Sequence, residues 1–473
     1  MKKYNNSIFI FRRDYRLEDN IGLINALSES VFVIPIFIFT PEQLIINEYK
    51  SNNAVQFMIE SLEVLDAHLK NKGSRLFYFF GKPHEIIGKI INNLDIDAVY
   101  VNRDYTPYSK NRDELIAKIC NKHNVQFNSY EDILLNPVGS IRTGSDNIYT
   151  KFTPFFNKAS KVKVAETKQN KYNNYFSSQK KITGEFKGNK NKFYTFNENL
   201  AVRGGRNNAI KILDSIQKFK NYNKERNILS KQTTRLSAYI KFGCISIREV
   251  YHKIKTKLGM KNDLIKQLYW REFYYNIGEF NPDILEKQKN FKPNYDKIPW
   301  ITYDKATDKQ KDQWKAWCDG MCGVPVVDAG MRQLNTIGYL ENRARLIVAS
   351  FLIKDMFWSP FEGEKYFSNN LCDIDLIVNS ASIGNYGWVS GGSVDTQPYF
   401  RTFNPFTQSQ NYDFDCKYIK KWIPELKDVP NEHIHAWDKY YYLYPNINYP
   451  KPILDHSSSV KKTLEKYKKA LYD

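Results

Sequence analysis

The chain has 473 residues and is 42% hydrophobic and 15% aromatic, enough for two or three domains with full-sized cores and too apolar for disorder. Seventy Lys and Arg against 51 Asp and Glu leave a net charge of +19, which favours a polyanionic partner and argues against cationic ones. The same surplus also suits a soluble lysine-rich protein from an AT-rich genome.

The N-terminus, MKKYNNSIFIFRRDYR, has only a short apolar run before its arginines, so no signal peptide is expected. The longest apolar run, 31–39, includes Pro35 and is too short to span a bilayer. An intracellular protein without a membrane segment is expected. Residues 7–11, 31–39, 75–80 and 98–101 read as buried strands, whereas 53–69 and 111–122 carry helical periodicity. Alternation of this kind predicts a parallel sheet with helices on its faces. No GxGxxG follows the first strand; Arg12, Arg13, Asp14, Arg16, Asp19 and Asn20 form a charged loop and helix entry instead. Residues 151–200, with eleven Lys, three Glu and no Asp, read as a long basic connector crossing the surface. From 201 onward helical periodicity dominates, most clearly over 343–356. The expected organisation is thus an α/β domain (1–150), a linker (151–200) and a larger helical domain (201–473).

All eight Trp lie between 270 and 437, which suggests a large helical core or a site for flat aromatic partners. No His occurs between 253 and 432, so a site in that region works without imidazole. Cys318 and Cys322 are the one close cysteine pair, and without two further ligands nearby they predict buried thiols rather than a metal site. The six Cys show no disulfide framework and suit a reducing compartment.

Thr233-Thr234-Arg235-Leu236-Ser237 sets hydroxyls, amides and a guanidinium ahead of a helical run, a pattern suited to phosphate and also to simple capping. Gln267 lies three residues before Trp270, so one helix face carries both an amide and an indole, beside the aromatics and Arg271-Glu272 ion pair of 269–274. Gly338 separates two helices, the second of which aligns Asn342, Arg345 and Leu346. In Asp373-Ile374-Asp375 buried acids require partners; Arg345 is the natural one for Asp373, which leaves Asp375 for the imide or ribityl groups of a ligand. Trp388 and Gly391-Gly392 precede a compact aromatic segment, 398–405.

Taken together these segments resemble the photolyase and cryptochrome family, most closely its class I cyclobutane pyrimidine dimer photolyases. The resemblance rests on FRRDYRLEDN (11–20), NRDYTPYSKNRD (102–113), TTRLS (233–237), WREFY (270–274), GVPVVDAGMRQL (323–334), ENRARLIVASFLIKD (341–355), EGEKYF (362–367), DTQPYFRTFNP (395–405) and WIPELKDVP (422–430), in family order over nearly the whole chain. It implies a Rossmann-like antenna domain, a larger all-helical domain holding a U-shaped FAD, and light-driven repair of pyrimidine dimers in DNA. In that chemistry excited FADH⁻ passes an electron to a flipped-out dimer, the ring splits and the electron returns. A monomer acting on duplex DNA is expected.

The resemblance further implies that Tyr222, Thr233, Thr234, Arg235, Leu236 and Ser237 hold the FAD phosphates and ribityl chain. Arg345, Asp373 and Asp375 match the flavin-side ion pair and acid, and Asn379 the residue facing flavin N5. An Asn there is the photolyase choice, where plant cryptochromes carry Asp and animal ones Cys. Trp270 and Trp388 match the indoles that sandwich the lesion, Asn342 and Leu346 its walls, and Arg343 a contact to a flanking phosphate. The (6-4) photolyases place a His at the position of Asn342, so the cyclobutane substrate is preferred here. Three departures stand out: Gln267 replaces a pocket Glu, Leu346 a common Met, and the residues expected to relay electrons are Tyr386, Pro360 and Thr307 instead of Trp, with about three residues inserted after Asn379. Trp314, Trp317 and Trp358 are candidates for a rerouted chain. The antenna chromophore, folate or deazaflavin, is not legible, and a signalling cryptochrome is the chief rival reading.

Overall fold

The computed structural model describes residues 2–472. Strands β1 (Tyr4–Phe11) and β2 (Ser30–Phe39) are apolar at successive positions because both faces of the sheet are covered. Phe9, Phe11, Phe37 and Phe39 enter one core, while Ile8, Ile10, Ile34 and Ile36 enter the other. Helix α1 (Ile21–Glu29) joins them, capped by Asn20. There follow α2 (Asn52–Lys70), β3 (Phe77–Phe80), α3 (Pro83–Asn93), β4 (Ala98–Asn102), α4 (Pro107–Lys122) and β5 (Gln126–Tyr130). All strand pairs are parallel, in the order β3-β2-β1-β4-β5. The chain order reverses between β1 and β4, so a crevice opens beyond their carboxyl ends, where ligands of open α/β sheets bind. Sequence periodicity missed α1, α3 and β5; β5 is an edge strand of mixed sequence, QFNSY, with no buried run.

The basic connector crosses the surface and is anchored at several points along it. Helix α5 (Phe152–Ala159) packs its three apolar positions Phe152, Phe155 and Ala159 inward. Further on, Tyr175 bridges to Val33 beside β2, Asn174 donates to the carbonyls of Leu27 and Ser30, and Phe176 is buried in the second sheet core. Its lysines point outward from a segment whose aromatics are anchored.

Beyond residue 200 the described elements are helical: α6 (Leu236–Lys241), α7 (Ile247–Leu258), α8 (Asp263–Phe280), α9 (Asp308–Asp319), α10 (Pro325–Ile337), α11 (Asn342–Ser350), α12 (Pro360–Asn370), α13 (Asn385–Ser390) and α14 (His456–Tyr472) are those that frame the site. Gly338 ends α10 in the left-handed conformation, φ 61°, as its place between two helices predicted. Helix α11 continues into a π-helical turn, Phe351–Asp355. Among the described residues no helix is long and apolar enough to cross a membrane.

A buried ionic seam joins sheet and helices. Arg16 and Arg248 share Asp132, at 2.6 and 2.8 Å, and Arg248 also reaches Asp19 at 2.9 Å. Gly243, φ 63°, lies so close to the Arg13 carbonyl that a Cβ would stand 2.2 Å from it. Only glycine allows this approach. Arg271 and Glu272 belong to the same seam and do not pair with each other, correcting the expected ion pair. Glu272 accepts from the N–H groups of Leu135 and Asn136 and from the Asn136 amide, and burial lifts its carboxyl to about 7. Arg271 donates to the Ile133 carbonyl.

Candidate functional site: a flavin cleft and an aromatic pocket

A narrow cavity among the helices is lined by Asn342, Arg345, Leu346, Asn379, Asn385 and Tyr386. Helix α11 supplies the first three at one-turn spacing, as their i, i+3, i+4 pattern predicted. Arg345 Nη2 lies 2.8 and 2.9 Å from the two Asp373 oxygens, and Ser237 Oγ donates to the same carboxylate at 2.7 Å. The predicted ion pair is therefore present, with Ser237 drawn into it. The Asn379 amide oxygen accepts from the Asp375 backbone N–H at 2.9 Å, which turns its NH₂ into a donor for whatever occupies the cavity.

Two of the expected cofactor residues are committed elsewhere, and a third contributes only main chain. Asp375 does not face this cavity with its carboxylate. It accepts from Arg13 and from the Tyr275 hydroxyl, each at 2.7 Å, and Arg13 holds it well below the usual carboxylate range. Asp373 and Asp375 diverge because Ile374, between them, lines the cavity. Arg235 begins α6 from the left-handed region, φ 52°, and its guanidinium is paired with Glu341 at 3.0 Å. The Leu236 side chain is buried in the core, so only its main chain remains available. Thr233, Thr234 and Tyr222 are half-buried; Thr234 Oγ1 accepts from the Leu236 N–H at 3.4 Å and still has its own O–H to donate.

Trp270 and Trp388 are both half-buried, on α8 and α13. Gln267 lies one turn before Trp270 and makes only a long contact, 3.5 Å, to the Asp263 carbonyl. Phe152 of the connector stacks face to face on Trp270, centroids 3.6 Å apart and planes 7° from parallel. On the outer side, Arg343 donates only to the neutral side chains of Asn227 and Gln408 and lies 4.3 Å over the Tyr412 ring. With no acid as partner, its charge is available to a phosphate.

The aromatics expected to form a rerouted chain are in contact. Tyr386, whose buried hydroxyl has no partner, meets Phe367 edge-on at 5.1 Å; Phe367 packs on Trp317 at 6.3 Å, Trp317 on Trp314 at 5.4 Å, and Trp314 on Trp358 at 4.6 Å. Tyr303, half exposed, closes the series 6.4 Å from Trp314. Phe367 was legible only as part of the EGEKYF motif.

A second cavity, about 740 Å³, opens at the carboxyl ends of the strands and runs to the helices. Arg12 follows β1, Thr40 follows β2, and Asp104 follows β4, while Lys241 and Leu376 close it from the helical side. Burial lowers the Lys241 ammonium to about 8. Glu364 touches both cavities; it accepts from the Ala381 N–H at 3.0 Å, and burial raises its carboxyl to about 7. No local pattern announced Arg13, Tyr275 or Glu364 in these roles, because each acts on a partner a hundred residues or more away or through burial alone.

The first cleft offers a guanidinium held by a carboxylate and an amide NH₂, and the half-buried hydroxyls of Thr233 and Thr234 lie just ahead of α6; together these donors suit a flavin dinucleotide. Comparison with known proteins agrees. Residues 7–171 match the DNA photolyase family model and residues 264–469 the FAD binding domain of DNA photolyase. The chain is 33% identical to a deoxyribodipyrimidine photo-lyase of Buchnera aphidicola over 97% of its length and 96% of the relative, and 30% identical to that of Halobacterium salinarum over 98% and 99%. Among solved structures it resembles an archaeal photolyase of Sulfolobus tokodaii, which contains two FAD molecules, at 38% identity and a TM-score of 0.86, covering 98% of this chain and 100% of that one. A Synechocystis cryptochrome, 24% identical with a TM-score of 0.86 over 98% of this chain and all of its own, shares the fold. Cleft, sheet and relatives converge: this chain belongs to the DNA photolyase family, enzymes of light-driven DNA repair that take FAD as cofactor.

Proposed function

We propose that the protein repairs cyclobutane pyrimidine dimers in duplex DNA, holding the lesion between Trp270 and Trp388 over the flavin cleft. Reduced FAD, once bound and excited by light, supplies the electron that splits the cyclobutane ring. The protein's part is binding and orientation. Arg345, pinned by Asp373, offers a fixed cation at the flavin side; Asn379 offers an N–H donor that does not readily release a proton, which suits a flavin kept reduced; Thr233, Thr234 and Tyr222 offer hydroxyls to the dinucleotide. Asn342 and Leu346 supply a polar and an apolar wall, and Arg343 a phosphate contact. The observation that carries the substrate choice is Asn342: among the side chains lining the cleft there is no imidazole to act as the acid of hydroxyl transfer. Gln267, in place of a carboxyl, contributes hydrogen bonds without charge.

Two further parts of the reading rest on separate observations. The array Tyr386, Phe367, Trp317 and Trp314, with Trp358 buried beside it, reaches the surface at Tyr303, and we assign it the reduction of oxidised flavin in place of the usual positions. The interdomain cavity, at the switch point of the sheet and lined by cations (Arg12, Lys50, Lys241) and acids (Asp104, Glu286, Glu364) alike, suits a second chromophore. The two FAD molecules of the Sulfolobus tokodaii relative favour a second flavin there over folate or deazaflavin. Chromophore extraction giving two flavins per chain supports that assignment, and one flavin per fully loaded chain refutes it.

The lesion pocket is tested by equilibrium binding. Trp270→Ala and Trp388→Ala are expected to lose preference for dimer-containing duplex while keeping most of their affinity for undamaged DNA. Unchanged preference in both variants refutes the pocket assignment. A photoreceptor remains the second reading, carried by the Synechocystis likeness in fold.

A further inference from the structure

We propose that Phe152, in the segment that leads from sheet to helices, is a positioning residue for lesion recognition: it backs the Trp270 indole and fixes the plane against which the damaged bases stack. The proposal rests on the lesion-pocket reading above. Phe152 and Trp270 form the closest ring pair among the described residues, 3.6 Å apart and within 7° of parallel.

Helix geometry decides which face is covered. At roughly 100° per residue, Tyr269 and Phe273 flank Trp270 on one side of α8, whereas Gln267 and Tyr274 flank it on the other. Helix α5 packs on the first side: Phe152 and Phe155 meet Phe273, and Phe156 meets Tyr269. Phe152 therefore closes the indole face turned away from Gln267. On the other side only Tyr274 meets the indole, offset at 5.7 Å and inclined by 29°, and that side leads to the cleft, since Tyr274 reaches Asn385 at 3.4 Å and Asn385 lines the cavity with Asn342 and Asn379.

The phenyl ring is itself anchored. Its backbone N–H donates to Asp395 Oδ2 at 3.0 Å, and Lys151 Nζ lies 3.2 Å from Asp395 Oδ1. Asp395 holds a left-handed backbone, φ 50°, in the turn that follows Trp388. One carboxylate thus ties the support of the first indole to the loop leaving the second. An indole clamped on one face has little rotamer freedom left to lose when a flipped base arrives, so the clamp is read out as lesion affinity.

The test uses the full-length, flavin-loaded protein and two duplexes that differ by a single cyclobutane dimer. Phe152→Leu is expected to bind the damaged duplex about three- to tenfold more weakly, the range of a lost aromatic pair, with undamaged binding unchanged. Phe152→Tyr keeps the ring and is expected to restore affinity. In a Trp270→Ala background Phe152→Leu is expected to add nothing, because it acts through the indole. Full lesion affinity in Phe152→Leu, an equal loss on both duplexes, or an undiminished additional loss in the Trp270→Ala background overturns the proposal. Should Phe152→Leu fail to retain flavin, Asp395→Asn weakens the anchor without touching the ring; it is expected to lower lesion affinity selectively, and an unchanged preference overturns the proposal. A parent protein that does not prefer the damaged duplex refutes the lesion-pocket reading itself.

Discussion

Asp373 and Asp375 are two residues apart and chemically identical, yet the structure gives them different tasks, and the pair of variants Asp373→Asn and Asp375→Asn separates them. Asp375 accepts from Arg13 at 2.7 Å within a buried site where Arg13 has a second partner, Asp104, at 3.2 Å. Breaking a buried pair by removing one partner costs about 3–5 kcal/mol, and with Asp104 and the retained amide oxygen as partial compensation about 2 kcal/mol is expected for Asp375→Asn. That energy is lost from the seam between sheet and helices. Hydrogen exchange reads it: the Tyr15 amide, bonded across the seam to the Phe242 carbonyl, is expected to exchange about 30-fold faster, since each 1.4 kcal/mol is tenfold. Flavin content is expected to hold. In Asp373→Asn the charged acceptor shared by Arg345 and Ser237 is lost beside the cleft, at about 1.5–3 kcal/mol for a charged hydrogen bond, so flavin affinity is expected to fall by tenfold or more while seam exchange stays at the parent rate. Equal flavin loss in the two variants, with no change in Tyr15 exchange, refutes the placement of the Asp375 carboxylate at the seam.

Three other outcomes are expected. Trp317→Phe slows light-driven reduction of oxidised flavin, followed by transient absorption, and leaves repair by chemically reduced protein intact; unchanged photoreduction removes Trp317 from the route. Arg343→Gln weakens binding to damaged and undamaged duplex alike and lowers the slope of log K against log salt by about 1, measured by titration at several salt concentrations. The C-terminal helix α14 docks through His456, whose imidazole donates to the buried Asp355 carboxylate. Asp355 raises the His456 pKa above 6.5, so the stabilisation is fully present below that value and is lost as pH rises through the folded pKa. Burial lifts Asp355 itself to about 6, and its ionisation between 3.8 and 6 acts in the same direction. Exchange of α14 amides, corrected for intrinsic rate, is expected to quicken from pH 6 to pH 8 in the parent and to lose this dependence in His456→Asn.

Much of this arrangement was legible from local pattern. The strands that nucleate the sheet are apolar runs covered on both faces, Gly338 is a helix stop, and Arg345 lies one turn from Asn342, so each could be placed without tertiary knowledge. What escaped the sequence depends on partners far along the chain. Asp375 looked like a ligand group because an unpaired buried acid needs a partner, and nothing local reveals that Arg13, 362 positions away, supplies it. Arg235 looked free for phosphate until Glu341 took it. The lysines of 151–200 masked the apolar face of α5, whose spacing at 152, 155 and 159 is helical but spans only two turns. The tryptophans fared better: their crowding in sequence around 314–358 foreshadowed a spatial array, though Phe367 as the link to Tyr386 did not announce itself.

The most direct measurement is anaerobic illumination of the chemically reduced, flavin-loaded protein with oligonucleotides carrying one defined lesion, cyclobutane or (6-4), in single-stranded and duplex form. Light-dependent splitting of the cyclobutane dimer to two pyrimidines in duplex DNA, with the (6-4) product untouched, is the predicted result. Failure to split the dimer while flavin is bound and DNA is held contradicts the account.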